Sequence, residues 1–247
     1  MACAILPGGI FGLFAMYLRR WLQETPIFKE MQARKTLADE LPLKSVVVNH
    51  KKEVFVCMLL TWLLSAGIVV VILMTPTYLQ KQFGVLPALA LQANSLAIVA
   101  LVCGCVIAGL VIDRFGASKT FIVGSLMLAA STWSFYHTNL TDPTQLFTHY
   151  MMAGFCVGIV GAVPYVMVRA FPAEVRFTGI SFSYNVAYAI FGGLTPIVVT
   201  LLMKMTPMAP AYYMLLLSLV GVLLGIYLRN DINSDVKEHL PKKALAD

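Results

Sequence analysis

Residues 109–119 read GLVIDRFGASK. Asp113, Arg114 and Lys119 stand there between two long apolar runs, with Gly109 and Gly116 beside them. One acid, two bases and two glycines in so apolar a setting are suited to holding charge at a turn. A second group recurs at helical spacing. Ser181, Asn185, Tyr188, Gly192 and Thr195 follow one another at four, three, four and three residues. At about 100° per residue they fall within roughly 40° of one line on a helix. Such a stripe either lines a polar path or packs against another helix, where small and hydroxyl residues let backbones approach. Packing suits Ser181, Gly192 and Thr195. Asn185 and Tyr188 lean toward a cavity, because larger polar groups in lipid need partners. Thr61, Ser65 and Thr75 make a weaker stripe, with Trp62 and Tyr78 near it. Glu174 and Arg176 form a second charged pair.

The chemistry of catalysis is not legible here. No nucleophile–base pair, metal-ligand cluster or phosphate loop is present, so neither an enzyme nor a metal or cofactor is expected. The five cysteines all lie in apolar runs, and Cys103 and Cys105 point to nearly opposite faces of a helix, which suits packing rather than ligation. His137 and His149 fall near run ends, where a water-exposed loop histidine is the plain reading.

The elements carrying these residues follow from composition. The 247 residues are 59% hydrophobic and 12% charged, against about 25% charged in a soluble domain. Lipid is the expected solvent. Seven apolar runs, at 2–18, 54–79, 89–112, 120–137, 145–168, 178–203 and 209–228, are each close to the ~17–25 residues of a membrane-spanning helix. None has an acid in its middle, and none alternates as a barrel strand would. The fold class predicted is therefore an all-α membrane protein with seven transmembrane helices. The expected organisation is a first helix at 1–18, a connecting loop at 19–53 with a short helix starting at Thr25–Pro26 and ending near Pro42, a six-helix bundle at 54–228, and a polar, frayed tail at 229–247. Loops sharing one side of the membrane hold sixteen of the eighteen Lys and Arg; the other side keeps Lys81 and Lys204. The positive-inside rule then puts the amino terminus outside and the carboxyl terminus in the cytoplasm. The same asymmetry accounts for the net charge of +6 without a nucleic-acid partner.

Asp113-Arg114 at the end of a third span also resembles the Asp-Arg-Tyr motif of rhodopsin-like receptors. Phe115 stands in place of the Tyr, the last run lacks Asn-Pro-x-x-Tyr, and no span has a central lysine, so a seven-helix receptor is a distant alternative. The pattern Gly109, Asp113, Arg114, Gly116, Lys119 is closer to the G-x-x-x-D-R-x-G-x-x-K loop of the major facilitator superfamily. RRWLQETPIF (19–28) and FPAEVRFTGISFSYNVAYAIFGGLTP (171–196) resemble segments of its metabolite–proton symporters, a group carrying proline and betaine, citrate, shikimate and α-ketoglutarate. The resemblance maps the chain onto helices six to twelve of a twelve-helix carrier.

The resemblance implies secondary active transport, a proton-coupled symport of a small metabolite across the inner membrane. It makes Gly109, Asp113, Arg114, Gly116 and Lys119 a conformational latch. Gly109 admits a neighbouring helix, Asp113 accepts hydrogen bonds from a facing helix amino terminus, and Gly116 permits the turn. Glu174 and Arg176 become the second charged cluster, pairing with Asp113 or with an absent half. Ser181, Asn185, Tyr188 and Thr195, with Thr61 and Ser65, become substrate-cavity candidates. The partners implied are the bilayer, a metabolite and a proton, and an amino-terminal half or second copy. A non-transporting remnant or scaffold, or a subunit of a split transporter, is the alternative. The spans hold no acid to couple a proton.

Overall fold

The computed structural model describes residues 14, 17, 42–138 and 140–239, with side chains absent from the description at Pro42 and 230–239. The chain divides into two units, Met1–Leu41 and Pro42–Asp247, and the bundle lies in the second. The expected first span and the helix starting at Thr25–Pro26 fall outside the described residues, Phe14 and Tyr17 excepted.

Seven helices follow in order: α1 Pro42–Asn49, α2 Lys51–Phe83, α3 Pro87–Phe115, α4 Ala117–His137, α5 Pro143–Ala170, α6 Arg176–Met203 and α7 Ala209–His239. No strand occurs among the described residues. Five helices, α2, α3, α5, α6 and the Ala209–Arg229 part of α7, are long and apolar enough to cross a membrane. The α4 helix has 21 residues but spends several on hydroxyls. Ser118, Thr120, Ser125, Ser131 and Thr132 are all buried, so its polarity faces protein. α1 differs from the expectation at Pro42. Proline there opens a helix rather than closing one, because the first helical position needs no N–H donor and proline's φ is already helical.

Three long helices are irregular at matching places. α2 widens to a π-helical segment at Val69–Met74, just before Pro76. α5 tightens to a 3₁₀ segment at Gly158–Ala162, just before Pro164. α6 widens at Tyr188–Gly192, just before Pro196. Proline removes one backbone donor and its ring collides with the carbonyl four residues earlier. A change of pitch in the preceding turn relieves both problems.

Packing is closest where side chains are smallest. α3 buries Ala90, Ala93, Ala97, Ala100, Gly104 and Ala108, a stripe facing α5. A Cβ added at Gly158 of α5 would sit 2.5 Å from Gly104 Cα, and one added at Gly161 would sit 2.9 Å from Cys105 Cα. The two backbones touch, which is how helices gain dispersion energy in lipid without a hydrophobic drive. α4 lies along α7 in the same way: Ser118 Oγ donates to Gly225 O at 2.7 Å, and Gly221 rests on Ser125. Burial is uneven around the bundle. In the most apolar stretch of α2, 67% of residues are buried, against 22% in α3 and 17% in α6. α3 and α6 therefore present the open faces.

Candidate functional site

The charged turn joins α3 to α4. Gly116 has φ +82, a left-handed value that costs glycine little and other residues much. Its N–H donates to Ile112 O at 3.0 Å, and its carbonyl accepts from Thr120 N and Thr120 Oγ1. The glycine thus ends one helix and starts the next, as its place in the motif requires. Asp113, Arg114 and Lys119 are exposed around it. Arg114 lies 5.8 Å from the Phe115 ring centre, and among the described residues Asp113 makes no hydrogen bond or ion pair.

Within this chain, two parts of the expected cluster do not come together. Among the described residues no helix approaches Gly109: nothing lies within 4 Å of a Cβ built there. The approach happens one and a half turns earlier at Gly104, on the face that α5 covers, and Gly109 lies off that face. Arg176 does not meet Asp113 either. Its Nε donates to Phe171 O at 3.1 Å, tying the start of α6 to the α5–α6 turn, while Glu174 is exposed.

The stripe on α6 is divided by the fold. Thr195 is buried, and its hydroxyl lies 2.9 Å from the Tyr213 hydroxyl of α7. Tyr213 accepts from Trp62 Nε1 of α2 at 3.0 Å, and the Trp62 ring stacks on Phe191 at 4.7 Å. Ser181 and Gly192 are half-buried, whereas Asn185 and Tyr188 are exposed. Asn185 Nδ2 turns back to Ser181 O at 2.7 Å, and the Tyr184 and Tyr188 rings lie 5.5 Å apart. The cause is the π segment at Tyr188–Gly192. One wide turn withdraws about 100° of rotation, a residue's worth. The buried positions of α6 accordingly run Gly179, Ser183, Ala187, then Thr195 and Val199, a four-residue step that a straight helix would not keep on one face. Asn185 and Tyr188 stay on the open side; Thr195 goes in.

Thr61 and Ser65 also move from the expected cavity lining to the interior. Both are fully buried. Thr61 Oγ1 donates to Cys57 O at 2.8 Å and Ser65 Oγ to Trp62 O at 3.3 Å. Hydroxyls that bond back to their own helix present no free donor to a solute.

A polar tie that sequence reading missed crosses the bundle at the α2 π segment. The Tyr150 hydroxyl of α5, fully buried, lies 2.9 Å from Val71 O and 2.5 Å from the Asn94 side-chain amide of α3. One hydroxyl proton serves one of these partners; an amide turned to present its NH₂ satisfies all three groups. Thr75 Oγ1 donates to Val70 O at 3.0 Å. The wide turn frees carbonyls, and side chains of α2 and α5 take them up. Asn and Tyr inside apolar runs were the available signal, since neither is tolerated unpartnered in lipid.

Among the described residues no group of His, Cys, Asp and Glu is placed to hold a metal ion. What the chain offers instead is a set of tightly packed spans, one charged turn and two open helix faces bearing isolated polar groups.

Comparison with known proteins agrees with that architecture. A "Putative proline/betaine transporter" of Staphylococcus aureus (strain COL) is 28% identical over 236 residues, covering 90% of this chain and 49% of the relative. The proline/betaine transporter of Salmonella typhimurium (strain LT2) is 26% identical over 254 residues, 96% of this chain and 49% of its own. The glycine betaine/proline/ectoine/pipecolic acid transporter OusA of Dickeya dadantii is 25% identical, with 93% and 48% covered. The chain spans about half the length of the curated relatives it matches. With residues 2–196 matching the Major Facilitator Superfamily, this multi-pass membrane chain belongs to that family.

Proposed function

We propose that the chain is the carboxyl-terminal part of a secondary carrier, a proton-coupled symporter of a small organic acid, betaine or similar zwitterion. The carrying observation is the alignment of nearly the whole chain with about half of proline and betaine transporters. In this reading the membrane is the inner membrane, with Lys81 outside and Asp113 in the cytoplasm. The open faces of α3 and α6 meet a second half, either linked to this chain or separate. Asn185 and Tyr188 then face the solute path between the halves, near the middle of the bilayer where such carriers bind. Gly116 sets the turn and Asp113, Arg114 and Lys119 latch one conformation, with Glu174 and Arg176 working at the next cytoplasmic turn. The described spans carry no acid in their middles, only Glu53 and Asp113 near their ends, so the proton-coupling group belongs to the other half.

Proteoliposomes with an imposed pH gradient test this. The 247-residue chain alone should not concentrate proline, glycine betaine or citrate. The chain joined to the first five helices of a relative should concentrate one of them, and a protonophore should abolish the gradient. Protonophore-sensitive accumulation by the chain alone would overturn the need for a second half. Failure of the joined carrier on the whole panel would overturn transport and favour a non-transporting scaffold.

A further inference from the structure

At the end of the bundle opposite the Gly116 turn lies a cavity of about 270 Å³. α2 and α6 wall it, and Tyr136 of α4 and Pro210 of α7 close it. Its polar lining is Thr75, Thr77, Tyr78, Lys81, Tyr136 and Thr200; the remaining lining is aliphatic, methionine and proline. We infer that this cavity binds a small carboxylate with a compact apolar or methylated body, at a site separate from the path between halves.

Three observations carry the assignment. First, the polarity has one sign. No acid lines the cavity, and Lys81 is exposed with no ion pair among the described residues. Second, the cavity holds an underused buried donor. Tyr136 is 2% exposed. Thr75 spends its proton on Val70 O, so the Tyr136 hydroxyl is left with Thr75 Oγ1 at 3.4 Å, beyond the usual ~2.5–3.0 Å for such bonds. A buried phenol so weakly engaged gains most from a charged acceptor. Third, the size fits. The volume is just under the ~300 Å³ where ordinary ligand pockets begin, which suits a molecule the size of an amino acid. The carboxylate takes Lys81 and the Tyr136 hydroxyl, and the body rests on the apolar walls.

The inference borrows only its probes from the proposed transport function, and the site lies wholly within this chain. The test is equilibrium binding of labelled proline and glycine betaine to the full chain in lipid nanodiscs. Choline and prolinamide, which lack the carboxylate, serve as competitors. Saturable binding is expected for the two carboxylates, with no displacement by the competitors. Lys81→Gln and Tyr136→Phe should each weaken binding by about tenfold, with thermal melting unchanged. Displacement by choline or prolinamide would overturn carboxylate recognition. Unchanged affinity in both variants would put the ligand elsewhere. No saturable binding, while the joined carrier transports, would make the cavity a packing gap and leave transport standing. Binding here without transport by the joined carrier would refute transport and leave the site.

Discussion

Replacing Gly158 by alanine adds one methyl group where α3 and α5 touch. The new Cβ would lie 2.5 Å from Gly104 Cα and 2.6 Å from Cys105 N, where unstrained heavy atoms keep about 3.5–4.0 Å. The obstacle is backbone on both sides, so no side chain can rotate away. The helices must part by about 1 Å locally. Gly154, which rests on the Ala97 backbone, and Gly161, against Cys105, lie on the same seam and lose contact with them. Overpacking of this kind costs about 1–3 kcal/mol, offset by up to ~1 kcal/mol of alanine's helix preference over glycine. A net loss of about 1–2 kcal/mol is expected. Gly109→Ala is the internal control. It has the same chemistry on the same helix pair, but nothing within 4 Å, so propensity alone predicts a gain of up to ~1 kcal/mol. Equilibrium unfolding in mixed detergent micelles, followed by tryptophan fluorescence, measures both. A Gly158→Ala variant as stable as the parent, or more stable than Gly109→Ala, would refute backbone contact between α3 and α5.

Tyr150→Phe should cost about 1–3 kcal/mol in the same assay, because it strands the Val71 carbonyl and the Asn94 amide inside the bundle; a loss below ~0.5 kcal/mol would show that the tie is not made. Asp113→Asn in the joined carrier should lower uptake several-fold with melting unchanged, since Asp113 is exposed and bonds to no described residue; normal uptake would reduce the turn to a basic loop. A single cysteine at Lys81 should react with an impermeant reagent added outside intact cells, and one at the exposed Lys119, beside Ser118, should not react until the membrane is opened; the reverse would invert the orientation.

Sequence by itself determined the solvent and the spans. A charge content of 12% and runs of apolar residues admit only lipid-facing helices, and α2 to α7 lie where those runs lie. It also determined the turn at Gly116, because a glycine after a helix end is the ordinary way to reach positive φ. Tertiary structure decided the faces. A helical wheel assumes one pitch, and the prolines at 76, 164 and 196 change the pitch one turn before themselves. That change sends Thr195 inward and leaves Asn185 and Tyr188 outside, although all three share a line at 100° per residue. Which glycine permits contact was likewise undecided in the sequence. Gly104 and Gly109 are five residues apart on one helix, and only the position of α5 makes the first a contact and the second open surface. Helix formation is a local property written in each run, whereas the choice of face depends on where the other helices settle.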